Sequence, residues 1–199
     1  MVDDKKNWNS LCSGSMNGLE VLFKRYYDDL FNYGLKISMD SNLVDDVIQD
    51  LFVYLWEKHE SLSNVEKVKS YLFIAFKRRL IKSLAMSQCI CDEEVVEKYG
   101  FSLSMEDMLM DEEHDNEKMM HIKKALLTLG DKQKEAIFLK FHVGLSIAEM
   151  ADQLDMNSQS VKNLLHRAYK KMRHVVSKDL ILFFINLIYF GKTKSKTPT

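Results

Sequence analysis

A single proline, Pro198, and seven glycines punctuate a chain of 199 residues. So little turn-forming chemistry cannot supply the corners of a many-stranded sheet, whereas apolar residues spaced three and four apart recur along most of the chain. Hydrophobic residues make up 46% of the sequence, which suffices for one or two compact domains and is too apolar for disorder throughout. The expected class is all-α: two small helical domains joined by an acidic linker, the C-terminal one containing a helix-turn-helix.

That motif is expected from Gly144 to Arg173. Ile147, Met150, Ala151 and Leu154 form the inner side of a short helix, with Ser146 placed to cap it and Glu149 three residues later to complete a capping box. A second helix, capped by Asn157 or Ser158, carries Val161, Leu164, Leu165, Ala168 and Met172 as one buried stripe. Between Asp155 and Asp179 there is no acidic residue, while Lys162, Arg167, Lys170, Lys171, Arg173 and Lys178 fall in that interval. Such a face attracts phosphate. Ser160, Lys162, Asn163, His166 and Arg167, with Lys170 a turn later, sit where a recognition helix enters a major groove, and their donors suit base edges and flanking phosphates. A helical hairpin with a solvated basic face is the plainer alternative.

In the N-terminal part, Leu19, Leu22, Phe23, Tyr26, Leu30, Tyr33 and Ile37 keep helical spacing, and Val44, Val47, Ile48, Leu51 and Leu55 repeat it after a break at Met39-Asp40-Ser41-Asn42. Two packed helices are expected. The second leaves Asp45, Asp46, Gln49 and Asp50 together on its outer side, with Phe52 and Trp56 near one edge, a surface able to dock a protein partner or simply to meet solvent. After a loop at 59–66, residues 67–82 interleave aromatic rings with six basic residues and no acid. Leu72, Phe76, Leu80 and Leu84 share one helical face and are expected in the core. Tyr71 and Phe73 are the candidates to stack on unpaired bases while Lys69, Lys77, Arg78 and Lys82 hold the backbone.

The net charge of −1 hides a strong asymmetry, because residues 92–117 place eleven acidic residues against the lone Lys98. This is the acidic linker, able to keep the basic halves off random DNA, to follow a basic channel on another protein, or to act as a solubilising spacer. Cys12, Cys89 and Cys91 follow no secretory signal and lack zinc-site spacing, so they read as reduced cytoplasmic thiols with a metal or redox role left open. The apolar run 180–190 is too short to span a bilayer and precedes a basic tail; a protein contact, packing on the linker or a membrane surface would each suit it.

Taken in order, Leu22-Phe23-Lys24-Arg25-Tyr26-Tyr27, Asp45-Asp46-Val47-Ile48-Gln49-Asp50-Leu51-Phe52 with Leu55-Trp56, Ser70-Tyr71-Leu72-Phe73, and Gly144-Leu145-Ser146-Ile147-Ala148-Glu149-Met150-Ala151 with Val161-Lys162-Asn163-Leu164-Leu165-His166-Arg167-Ala168 carry a resemblance. Over residues 18–177 the chain resembles bacterial RNA polymerase sigma factors of the extracytoplasmic-function (ECF) type. The resemblance implies a domain at 1–90 that binds core polymerase and reads and melts the minus-ten element, a linker at 91–118, a domain at 119–178 that reads the minus-thirty-five element, and an apolar helix and tail of unassigned role at 179–199. It implies that Asp45, Asp46, Gln49, Asp50, Phe52 and Trp56 dock on the polymerase clamp. Lys69, Tyr71, Phe73, Lys77, Arg78 and Lys82 would serve the minus-ten element, and Ser160, Lys162, Asn163, His166, Arg167 and Lys170 the minus-thirty-five element. An anti-sigma factor is a further implied partner, to be sought on the exposed faces of residues 43–58 and of the tail.

The chain departs from the family at three positions. Leu129-Gly130 stands where Leu-Pro is usual, leaving Asp131 to cap the next helix. Arg78 and Lys82 replace an asparagine and an aspartate, making the melting segment more basic. The chain carries no glycine-rich phosphate loop, paired metal carboxylates or nucleophile with a placed base, so catalytic residues, a cofactor and a metal are not expected. A promoter-directing subunit in the cytoplasm, without a membrane span of its own, is the leading reading. A helix-turn-helix regulator that binds duplex operators through an N-terminal sensor or dimerisation domain is the alternative, and a membrane-associated adaptor rests on the tail alone.

Overall fold

The computed structural model describes residues 4–62, 64–88, 100–102, 116–177 and 181. The chain divides into two compact units, residues 1–100 and 101–199. Among the described residues all regular structure is helical.

The described residues of the first unit form α1 (Asp4–Cys12), α2 (Met16–Ser38), α3 (Ser41–Glu57) and α4 (Val68–Gln88), with a 3₁₀ turn, His59–Ser61, before α4. The expected inner stripe of α2 is realised at Leu22, Tyr26, Leu30, Tyr33 and Ile37, and that of α3 at Val44, Val47, Ile48, Leu51 and Leu55, all buried. The break between them is a left-handed Met39 (φ 56°), followed by Asp40, whose Oδ1 accepts from the backbone N–H groups of Asn42 and Leu43 at 3.1 Å. A carboxylate there satisfies two otherwise orphaned donors of the new helix and complements its dipole.

Two glycines set how closely these helices approach. At Gly34 a Cβ would lie 2.7 Å from Val44 Cγ1 and 2.8 Å from Phe76 Cζ, so α3 and α4 close on α2 where there is no side chain. At Gly18 it would lie 2.7 Å from the Asn7 carbonyl oxygen and from the Leu11 nitrogen, which seats α1 directly on the α2 backbone. The helix α1 lay outside the sequence expectations. Its Trp8 and Leu11 are fully buried, Asp4 accepts from the Tyr26 hydroxyl at 2.6 Å and pairs with Arg25 at 2.9 Å, and Lys5 pairs with Glu66 at 2.7 Å.

The second unit contains α5 (Asn116–Leu127), α6 (Asp131–Ile137), a π-helical turn (Phe138–Val143), α7 (Ile147–Gln153) and α8 (Ser158–Arg173). Its core gathers Ile122, Leu126, Ala136, Ile137, Leu139, Val143, Met150, Val161, Leu165, Ala168 and Met172, with Phe101 against Phe138 at 5.6 Å. Asp131 does not cap α6, as was expected of it. Gly130 is the N-cap, with φ −76° and ψ 162°; Gln133 reaches back to accept from its N–H at 3.2 Å, and Asp131 sits in the first turn paired with Lys134. Backbone geometry plus one glutamine therefore replaces the proline-type start. The acidic stretch 92–117 lies outside the described residues but for the helical backbone of 116–117 and residues 100–102, as does the apolar run 180–190 but for the buried Ile181. Among the described residues no helix is long and apolar enough to cross a membrane.

Candidate nucleic-acid interface

The capping box that starts α7 is formed in both directions: Glu149 N–H donates to Ser146 Oγ at 3.3 Å, and Ser146 N–H to Glu149 Oε2 at 2.8 Å. The turn to α8 passes through a left-handed Asp155 (φ 52°), and the Met156 N–H bonds back to the Ala151 carbonyl at 2.9 Å, closing α7 as a Schellman turn. Asn157 then caps α8, its Oδ1 accepting from Ser160 N–H at 2.8 Å.

Val161, Leu164, Leu165, Ala168 and Met172 face inward. Lys162, Asn163, His166, Arg167 and Lys170, spaced one, three and four residues apart, are consequently presented together on the exposed side. Ser160 is half-buried at the cap and lies at the margin of that face. Gln159, which sequence reasoning passed over, is exposed beside it and donates through Nε2 to Asn163 Oδ1 at 3.2 Å. The Arg167 Nε lies folded back on the Asn163 carbonyl at 3.3 Å, an exposed bond that a base edge can displace. Behind the helix, burial pushes the Tyr169 phenol up to about 12, and its ring meets Phe141 edge-on at 6.1 Å.

On α4 the six expected residues separate. Tyr71, Arg78 and Lys82, seven and four residues apart, share the side opposite the buried Leu72, Phe76, Leu80 and Leu84. Tyr71 is half-buried, Arg78 and Lys82 exposed. Lys77 is half-buried nearer the core edge, and Lys69 is half-buried and 3.8 Å from Asp29 on α2. Phe73 has to be corrected: it is fully buried against Tyr33 at 5.5 Å, so its ring is core and has no face left for a base. Tyr71 meets the buried Trp8 edge-on at 5.0 Å, and desolvation raises its hydroxyl above the ordinary tyrosine range.

The outer side of α3 presents Asp46, Gln49 and Asp50 to solvent. Asp45 is half-buried and committed to its neighbours, accepting from the Tyr27 hydroxyl at 2.8 Å and from Gln49 Nε2 at 2.9 Å; the first bond raises the Tyr27 hydroxyl above its usual range. Phe52 is a second correction, since it is only 4% exposed and packs edge-on against Phe23 at 5.1 Å. Trp56 is half-buried, stacked on His59 at 5.2 Å. The exposed aromatic on this surface is instead Tyr54, beside the exposed Val53, with the Arg79 guanidinium 4.3 Å above its ring. Three- and four-residue steps from Asp50 pass through Val53, Tyr54 and Glu57, so the periodicity held the signal.

Residues 22–88 match the Sigma-70 region 2 family and residues 120–172 the Sigma-70 region 4 family, together more than half of the sequence. SigX of Bacillus subtilis, an ECF RNA polymerase sigma factor, is 23% identical over 77% of this chain and 81% of its own. SigL of Mycobacterium tuberculosis, likewise an ECF sigma factor, is 24% identical over 81% and 92% respectively. The chain belongs to the ECF-type sigma factors. As a sigma factor it also shares its fold with solved relatives: CnrH in complex with the cytosolic domain of CnrY (TM-score 0.57, 19% identity, 86% of this chain and 96% of that one) and RpoE of Bartonella quintana in complex with the anti-sigma factor NepR (TM-score 0.55, 19% identity, 80% and 97%). In sigma-factor terms, α3 and α4 lie within region 2, α7 and all but the last residue of α8 within region 4, and α1 precedes the region 2 match.

Proposed function

We propose that this ECF sigma factor acts in the cytoplasm, leaves all catalysis to RNA polymerase, and divides its work among three helices. The exposed Asp46, Gln49 and Asp50 of α3, with Val53 and Tyr54, dock on core polymerase. Tyr71, Arg78 and Lys82 of α4 contact the opened minus-ten strand, a ring to stack on a base and two cations for the backbone. Lys162, Asn163, His166, Arg167 and Lys170 of α8, with Ser160 at the margin, read the minus-thirty-five duplex in the major groove.

The observation that carries this reading is the pairing of a region 2 unit that exposes an acidic helix face with a region 4 unit whose reading helix exposes only cations and neutral donors. A duplex-operator regulator would need a sensor or dimerisation domain where region 2 stands. CnrH and RpoE are each recorded with a protein bound, the latter with an anti-sigma factor, and a protein inhibitor of that kind is a further partner here. Run-off transcription with purified core polymerase on genomic fragments tests the assignment: new start sites that depend on this protein are expected, and DNA binding without any initiation would overturn it.

A further inference from the structure

The helix α1 precedes the region 2 match, yet it is bound to that unit more firmly than a leader need be. Its backbone rests on Gly18 of α2 at a distance no Cβ would tolerate, Asp4 holds Tyr26 and Arg25 of α2, and Lys5 reaches Glu66 just before α4. These ties bring Trp8, fully buried, against Tyr71 with ring centroids 5.0 Å apart and planes at 68°. Tyr71 is the aromatic on the outer side of α4 in line with Arg78 and Lys82.

A half-exposed tyrosine normally samples several rotamers, and stacking on a base would cost it that freedom. An edge-to-face contact with a fully buried ring removes part of that cost beforehand. We infer that Trp8 is a positioning residue for promoter melting, holding the Tyr71 ring in the orientation that receives an unstacked base of the minus-ten strand. The leader helix is thereby part of the DNA-opening apparatus, acting through Tyr71 and not by touching DNA itself. The inference rests on the role proposed above for α4.

The test is a double-mutant cycle in holoenzyme assembled with the full chain, on a promoter mapped by run-off transcription, with 2-aminopurine in the minus-ten strand reporting base unstacking. Trp8→Leu should lower the open-complex equilibrium by roughly three- to tenfold, the effect of releasing one aromatic side chain, while affinity for core polymerase stays unchanged. Trp8→Phe, which keeps an edge-to-face ring, should restore most of the loss. Because Trp8 acts through Tyr71, the variant carrying both Trp8→Leu and Tyr71→Leu should open the promoter as well as Tyr71→Leu alone. Additive losses, an unchanged open complex in Trp8→Leu, or a parallel loss of core affinity, which would signal a merely structural tryptophan, would each overturn the inference. Wild-type holoenzyme that forms normally but opens no promoter would instead overturn the underlying role of α4, and the positioning role with it.

Discussion

At the scale of single residues, a substitution should remove one activity and spare the other. Arg167→Ala takes a forked donor from the exposed face of α8 and should weaken promoter binding about fivefold or more, in keeping with about 1–3 kcal/mol for a good base contact, with core affinity unchanged in fluorescence anisotropy. Asp50→Ala, on the exposed face of α3, should do the reverse. Phe73→Ala should behave like neither: a buried Phe→Ala change costs about 3–5 kcal/mol, so both activities should fall together with the urea midpoint. That contrast marks where sequence reading stopped. The stripe Leu72, Phe76, Leu80 and Leu84 was visible as a period, but α4 packs on α1, α2 and α3 together, and the wider arc of contact takes in Phe73 as well. Period alone does not give the width of a buried arc, and the same blindness put Phe52 on the surface. Tyr169 supplies a pH test. Its folded pKa of about 12 exceeds the ordinary phenol value of about 10, so the neutral phenol's contribution is complete below pH 10 and is lost as pH climbs toward 12. The denaturation midpoint should therefore fall over that window in the wild type and fall less in Tyr169→Phe.

At the scale of elements, what was legible was whatever a few consecutive residues determine. Ser146 and Glu149 announced the start of α7, and Asn157 was one of two residues named for α8, because a cap is chemistry confined to one turn. Ser146→Ala should accordingly cost the second unit about 1 kcal/mol by chemical denaturation. The corner between α2 and α3 was foreseen as a break, though not its backbone: Met39 is left-handed and 72% exposed. Met39→Gly should relieve the strain of a side chain there at no loss of packing, and a rise of about 0.5 kcal/mol in unfolding free energy is expected after the greater chain entropy of glycine is offset. By contrast, α1 was not legible. Nine residues with two buried side chains make no persistent pattern, and what holds it, the bare backbone at Gly18 and the bonds to Tyr26, Arg25 and Glu66, joins residues distant in sequence. The start of α6 was misassigned to Asp131 for a related reason, since Gly130 caps through backbone shape and a returning Gln133 side chain.

At the scale of the whole molecule, the net charge of −1 carries little information, because the acidic and basic faces sit on different helices, for which different partners are proposed. The basic face of α8 should make promoter affinity fall steeply with salt, and replacing an exposed cation of that face such as Lys162 by Ala should reduce the slope of log K against log salt by about 1 for the phosphate contact removed. Core binding through α3 should respond less. The division into two units was open to sequence reading through the charge asymmetry, whereas the closeness of the two faces inside region 2 was not. That closeness returns to Gly34, where one missing methyl lets α3 and α4, the helices proposed to meet polymerase and DNA, rest against α2. A hydrogen atom is thus the gauge block of this unit. On the roles proposed for α3 and α4, a lineage that altered residue 34 would have to retune promoter preference and polymerase fit together, because both helices close on α2 at that one position.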